Sequence, residues 1–285
     1  MIPAHEPVKH AAAVAGHYGS PDLASRVLEA LVAAGKNPER LRPEDLAAID
    51  EFHVRGAAAT QELAAALDPA PGLLVLDVGC GLGGASRYLA RLLDCHVLGV
   101  DQSPEYCAAA KMLSERLGMS SRVAYLQADA LKLPFPDAAF DLVWIQHVSM
   151  NIEDKPGLYR EVRRVLKPGG RLACYEVLSG PGGEVYFPVP WARDPATSFL
   201  VSQGELRRLL GEEGFQPLFW QDVTQDGLDW FRRRQQGSRD GRDNPFGLQL
   251  LLGKDFPQMA ENQLRNLEES RITLVEAVFQ APRES

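Results

Sequence analysis

Leu73-Leu74-Val75-Leu76-Asp77-Val78-Gly79-Cys80-Gly81-Leu82-Gly83-Gly84 decides how this chain is read. An apolar run of strand type, Leu73 to Val78, ends in four glycines within six positions. A helical pattern follows at once, with Tyr88, Leu89, Leu92 and Leu93 on one face. A strand, a glycine turn and a helix start make a ready site for an anion or a nucleotide. Glycine reaches backbone angles closed to other residues and lets a ligand approach the main chain. The N–H groups of the first helical turn face that ligand. Gly79, Gly81 and Gly84 satisfy a G-x-G-x-x-G spacing, which by itself names no ligand. Asp77 is more telling. A carboxylate just before the turn repels a pyrophosphate, yet holds an ammonium or orders its water shell.

Upstream of the turn lie about 70 residues of mainly helical pattern. Residues 1–16 contain Ala and His and stay loose until something covers them. Ser20-Pro21-Asp22 reads as a helix start, a cap followed by Pro and an acid in the first turn. Leu23, Val27, Leu28, Leu31 and Val32 form its apolar stripe, and Gly35 ends it. Pro43-Glu44-Asp45 opens a second helix, running through Leu46, Ile49 and Phe52. A third spans Ala57 to Leu67 and stops at Asp68-Pro69-Ala70-Pro71-Gly72.

Downstream, strands and helices alternate. Cys95 to Asp101 reads as a strand, Pro104 to Leu117 as a helix, Arg122 to Gln127 and Phe140 to Ile145 as strands. A helix at Lys155 to Leu166, a turn at Lys167-Pro168-Gly169-Gly170 and a strand from Arg171 to Leu178 follow. This alternation predicts an α/β chain with a doubly wound parallel sheet, its ligand beyond the carboxyl ends of the strands. Gly180 to Ser198 breaks the pattern with three prolines from Pro188 to Pro195 among Tyr186, Phe187 and Trp191. A helix at Glu205 to Leu210, a strand at Gly214 to Val223 and a helical insertion over 225–270 come next. Within the insertion, Gly237 to Pro245 reads as a polar loop. Arg271 to Gln280 is expected to close the sheet as an antiparallel strand, although Ile272, Val275, Val278 and Phe279 also suit a helix. The expected division is a helical cap over 1–70, a cofactor-binding core over 71–180, and the rest of the core sheet over 181–285 with cap insertions at 180–200 and 225–270.

The chain has 285 residues, 45% hydrophobic and 24% charged, the balance of an ordinary globular protein of one large domain or a domain with a cap. Its net charge of −8 argues against a broad nucleic-acid surface, which needs clustered Lys and Arg. Arg232-Arg233-Arg234 has Asp226, Asp229, Asp240 and Asp243 close by in sequence and reads as a solvated helix face. Four cysteines without C-x-x-C spacing predict neither a metal centre nor a disulfide framework. No apolar signal core and no run of about 18 apolar residues is seen, which predicts a cytoplasmic protein without a membrane partner.

Val75-Leu76-Asp77-Val78-Gly79-Cys80-Gly81 resembles the first motif of the class I S-adenosylmethionine-dependent methyltransferases. The resemblance implies a Rossmann-like fold with a seven-stranded, mostly parallel sheet and S-adenosyl-L-methionine as cofactor, held by Asp77, Gly79, Cys80 and Gly81. Asp101, which ends the second strand and is followed by Gln102, can accept both hydroxyls of a ribose. NAD-binding folds place an acid similarly, so Asp101 does not choose between the cofactors. Gln127-Ala128-Asp129-Ala130-Leu131-Lys132-Leu133-Pro134-Phe135 is similar to a second motif of the family, which implies adenine contacts at Asp129 and Ala130. A turn aspartate is the plainer alternative.

Phe140 to Ile145 leads into Gln146-His147-Val148-Ser149-Met150-Asn151, the strand exit that the fold turns toward the reacting methyl. His147 either takes a proton from the acceptor, as the candidate catalytic base, or only shapes the pocket. Gln146 is assigned to the cofactor, and Met150 and Asn151 to the acceptor. With Phe52-His53-x-x-Gly56, Ala59-Thr60 and Phe187-Pro188-Val189-Pro190-Trp191, the chain from Tyr18 onward resembles small-molecule methyltransferases of the sarcosine/dimethylglycine N-methyltransferase and natural-product O-methyltransferase type. Where the former commonly read Gln-Asp, this chain reads Gln146-His147, a poorer partner for a cationic amine. The resemblance further implies that His17 and Tyr18 fold over the site, that His53, Arg55 and Gly56 lie near the amino-acid end of the cofactor, and that Tyr186 and Trp191 line the acceptor. Aromatic residues beside prolines also pack a cap onto a domain. Two rival readings remain, an NAD-dependent oxidoreductase using the same glycine turn and a non-catalytic cofactor-binding protein.

Overall fold

In the computed structural model, which describes residues 22–67, 72–238 and 247–283, strand β1 (Leu74–Val78) lies inside the sheet, with Val75 to Val78 all buried. It pairs in parallel with β2 (His96–Asp101) on one side and β4 (Phe140–Gln146) on the other. Strand β3 (Val123–Gln127) extends the β2 side, and β5 (Leu166–Ser179) the β4 side. Between β5 and the edge strand β6 (Gln216–Asp222) lies β7 (Ile272–Gln280), antiparallel to both. The order β3-β2-β1-β4-β5-β7-β6 is the seven-stranded, mostly parallel, doubly wound sheet expected. Successive strands leave β1 in opposite directions, so the crevice beyond β1 and β4 is the switch point where such sheets take their ligand.

Alternate residues feed opposite faces, as a pleat requires. Val75, Leu142, Trp144, Ala173 and Tyr175 join one core cluster, whereas Leu76, Val78, Val143, Ile145 and Cys174 join the other. The first face carries α3 (Ala57–Ala65), α4 (Gly84–Leu92), α8 (Thr224–Ser238) and α10 (Phe256–Glu268). The second carries α6 (Lys155–Val165) and α7 (Gln203–Glu212). A third cluster joins α1 (Leu23–Ala33) and α2 (Pro43–Asp50) to α5 (Pro104–Arg116), with Leu82 of the glycine turn and Leu251 of the short α9 (Gln249–Leu252).

Some boundaries differ from the sequence reading, each for a local reason. Helix α1 starts at Leu23 with Asp22 at its cap in a left-handed conformation (φ 61°), so the acid precedes the first turn instead of lying in it. Ser20 and Pro21 lie outside the described residues, as do 68–71. Phe52 lies past the end of α2. Lys167-Pro168-Gly169-Gly170 is not a free turn but the bulged start of β5. The register jumps from Phe140↔Leu166 to Leu142↔Arg171, and Gly169 takes a positive φ of 74° at the bulge. The segment whose spacing suited either helix or strand is β7: nine residues pair with β5, and this ladder overrides its helical periodicity.

Candidate functional site

The glycine turn is built more by protein contacts than by ligand access. The N–H groups of Gly79 and Cys80 both donate to the Val100 carbonyl, at 2.8 and 3.0 Å. A Cβ at Gly79 would lie 2.3 Å from Val148, one at Gly83 2.3 Å from the Tyr125 hydroxyl, and one at Gly84 2.0 Å from the Asp50 carbonyl. Gly81 differs: its nearest neighbour, Tyr106, is 4.0 Å away. The expectation that these glycines open the main chain to a ligand therefore narrows to Gly81, while its neighbours let other elements pack close.

Acids surround this turn. Asp77, 2% exposed at the end of β1, accepts a 2.5 Å hydrogen bond from the Ser86 hydroxyl of α4. Burial pushes its pKa up to about 7 against the pull of Ser86, and the charges of Glu51 and Asp101 add to the rise. Asp101 accepts from the backbone N–H of Gly81 at 3.0 Å and of Ser103 at 2.9 Å, and burial raises its pKa too. Cys80 is buried beneath the turn. Gln102 offers its carbonyl to Gln127 Nε2 at 3.2 Å. Asp129 is exposed and accepts from the Leu131 N–H at 2.9 Å, so its described contact is that of a turn aspartate. It still lies beside Asp101, because the Ala128 N–H donates to the Asp101 carbonyl at 3.0 Å. Ala130 packs against the second core cluster.

The β4 exit supplies the other flank. Gln146 Oε1 accepts from Trp144 Nε1 at 2.8 Å and lies 3.3 Å from Thr60 Oγ1. His147 adopts a φ of 51°, costly for a residue with a Cβ, and its N–H donates to the Tyr175 carbonyl at 2.8 Å. Its ring lies 4.4 Å from that of Tyr175 and 5.7 Å from that of His53. Its Nε2 is enclosed without a hydrogen-bond partner among the described residues, and burial holds the ring's pKa well below 6.5. The imidazole is thus neutral at physiological pH, the form that accepts a proton.

Met150, Asn151 and Trp191 are brought together. The Met150 carbonyl accepts from the Phe199 N–H at 2.8 Å, and Asn151 Nδ2 donates to the carbonyls of Trp191 and Thr197, both at 2.8 Å. Behind them the ammonium of Lys155, 3% exposed, donates to the carbonyls of Ser149 (2.8 Å), Ile152 and Phe199 (2.6 Å), joining the β4 exit to the proline-rich segment. Trp191 is 2% exposed, and its ring belongs to the core. Tyr186 is not brought to this flank. The guanidinium groups of Arg265 and Arg271 lie over its ring, 3.8 and 4.0 Å from the centroid, and its hydroxyl accepts from both. His17 and Tyr18 lie outside the described residues.

Sequence reasoning missed two acids. Glu51 accepts from His53 Nε2 and Thr60 Oγ1, each at 2.8 Å. Glu276, 1% exposed, pairs at 2.8 Å with Arg55, whose other nitrogen pairs with Glu62. Burial pushes the Glu276 pKa up to about 7, and Arg55 opposes the rise. The available signal was an acid inside the apolar run Leu274-Val275-Glu276-Ala277-Val278. In register, Gln146, Tyr175 and Glu276 form one row across β4, β5 and β7.

Residues 76–174 match the family model of a methyltransferase domain, so that part of the chain carries such a domain. A sterol 24-C-methyltransferase of Gibberella zeae is 40% identical over 108 residues, 38% of this chain and 28% of that protein. The chain therefore spans well under a third of that relative's length. Among solved structures, a geranyl diphosphate C-methyltransferase from Streptomyces coelicolor, in complex with Mg2+, geranyl diphosphate and S-adenosyl-L-homocysteine, superposes with a TM-score of 0.65 at 20% identity, covering 79% of each chain. The [4+2]-cyclase SpnF superposes with a TM-score of 0.66 at 24% identity, covering 90% of this chain and 94% of its own. These likenesses establish a shared fold.

Proposed function

We propose that the chain transfers a methyl group from S-adenosyl-L-methionine to oxygen or nitrogen of a small-molecule acceptor. One observation carries the choice of donor: Asp77 is a buried carboxylate at the glycine turn whose hydrogen bond comes from a neutral hydroxyl, with Glu51 and Asp101 adding to the negative field there. Such a field attracts a cation and repels a pyrophosphate, which disfavours NAD at the same turn. When bound, S-adenosylmethionine supplies a methyl group already activated by its sulfonium. Asp101 would accept the ribose hydroxyls, and Gly81 leaves the space for the sugar's approach. Ala130 and Asp129 stand where the adenine would lie.

The chain's remaining task is alignment, exclusion of water and, for a hydroxyl acceptor, removal of a proton. His147, neutral and with Nε2 unengaged, is the candidate base. The helices over 22–67, the segment 180–200 and the helices of 225–270 would cover the strand ends, leaving room for a small molecule and none for a folded macromolecule or a nucleic acid. The four cysteines are free thiols, which suits a reducing cytoplasm. Among the described residues no helix is long and apolar enough to cross a membrane.

Calorimetry tests the donor. S-adenosylhomocysteine is expected to bind at micromolar concentration and NADH not at all, and the reverse result overturns the reading. Release of S-adenosylhomocysteine in the presence of small hydroxyl and amine acceptors then separates a transferase from a non-catalytic binder.

A further inference from the structure

Glu51 stands at the donor end of the site, just past α2, and its side chain is 7% exposed. Both of its described hydrogen bonds fall on one oxygen: Oε2 accepts from His53 Nε2 and from Thr60 Oγ1. Oε1 receives none from the described residues. On one side Thr60 ties the carboxylate to Gln146, the last residue of β4. On the other, the charge of Glu51 acts on Asp77 at the end of β1 and on Tyr88 of α4. A largely enclosed carboxylate with one oxygen unused is a ready partner for a cation.

We infer that Glu51 receives the ammonium of the donor's amino-acid tail on Oε1, while His53 and Thr60 hold the carboxylate in place through Oε2. This rests on the reading of the glycine turn as a donor site. The ammonium is the better match than the sulfonium, because the rings of the reacting flank are met by His53 and not, in any described contact, by Glu51. It is the His53 ring that meets those of His147 and Tyr175, at 5.7 and 5.6 Å. Glu51 instead follows directly on Asp50, whose carbonyl packs against Gly84 at the start of α4. An ammonium between Glu51 and Asp77 would offset the repulsion of both acids at once.

Three ligands separate this role from others when titrated by calorimetry against the wild type, Glu51→Gln and Glu51→Asp. S-adenosylmethionine and S-adenosylhomocysteine both carry the ammonium; 5′-methylthioadenosine lacks the whole tail. In Glu51→Gln the first two are expected to weaken alike, by about tenfold or more, the loss typical of a charge-assisted hydrogen bond. Methylthioadenosine is expected to bind unchanged. Glu51→Asp keeps the charge on a shorter arm and is expected to recover part of the affinity, which keeps the test alive should the glutamine variant not fold. Equal loss for methylthioadenosine would mean that Glu51 only supports the fold, and a loss confined to S-adenosylmethionine would place it at the sulfonium. Either result overturns the assignment, as does unchanged binding of S-adenosylhomocysteine by the glutamine variant. If the wild type binds none of the three ligands, it is the donor reading that fails.

Discussion

The two flanks of the strand edge settle their charges differently. Around the glycine turn, Asp77, Asp101 and Glu51 are bonded by hydroxyls, an imidazole and backbone N–H groups. The guanidinium of Arg87, which also bonds the Leu82 carbonyl of the turn, is already committed to Asp50 at 2.5 Å. Across β4, β5 and β7 the buried charges run in opposite pairs: Arg55 with Glu276, and Lys155 beside Glu176. The difference separates two kinds of work. A flank that leaves acids without cations holds a negative field ready for a positively charged ligand. A flank that neutralises itself selects by shape, packing and hydrogen bonding.

On the flank of unpaired acids, Asp101 has the most to lose. Asp101→Ala would remove the two charge-assisted contacts proposed to a ribose, at about 1.5–3 kcal/mol each, and S-adenosylhomocysteine affinity should fall by roughly 10² to 10⁴. A change below threefold in a titration of the folded variant would remove the donor flank from the account. Next comes the paired flank. Glu276→Gln leaves Arg55 with Glu62 alone, and breaking a buried pair costs about 3 kcal/mol. Urea unfolding should show that loss, while donor affinity in the folded variant stays unchanged. If donor affinity falls with stability, the flanks are not separate.

The pH dependence of donor binding sharpens the contrast. The folded pKa of Asp77, about 7, lies above its ordinary 3.8, so the folded chain takes up the proton first. Its effect on stability follows: the favourable contribution is fully present below about 3.8 and is lost as pH rises through about 7. Donor binding runs the other way, since the cation prefers the carboxylate. Affinity for S-adenosylhomocysteine should weaken up to about tenfold per pH unit below 7 and level off above it. A flat profile from pH 5.5 to 8 would show that Asp77 does not feel the ligand.

The contrast also explains what the chain made legible. The donor flank is written in continuous stretches, Val75 to Gly84, Asp101 and Gln127 to Phe135, because a turn and its strand ends are local structure. The paired flank depends on register. Gln146, Tyr175 and Glu276 are far apart in sequence and meet only when β7 inserts antiparallel beside β5. Tyr186 shows the same limit: as an aromatic among prolines it reads as an acceptor wall, yet Arg265 and Arg271 reach it from α10 and the start of β7. The glycines were legible as a turn, but that Gly84 admits the Asp50 carbonyl and Gly79 the Val148 side chain follows only from packing.

Turnover, and not donor binding, tests the base. His147 sits on the paired flank, and burial, with His53 nearby, holds its pKa well below 6.5. A folded pKa depressed in this way keeps the ring neutral throughout the neutral range, so lowering the pH from 8 to 6.5 does not protonate it. With a hydroxyl acceptor, turnover at saturating donor should therefore show no acidic limb in that interval, whereas His147→Ala should lower it by about 10² to 10⁴, as loss of a positioned base does. The two measurements must be read together. An acidic limb that survives in His147→Ala would assign proton removal to another group. A flat profile with undiminished turnover in His147→Ala would leave the ring a wall of the pocket, and would favour an acceptor such as a neutral amine that attacks without a base.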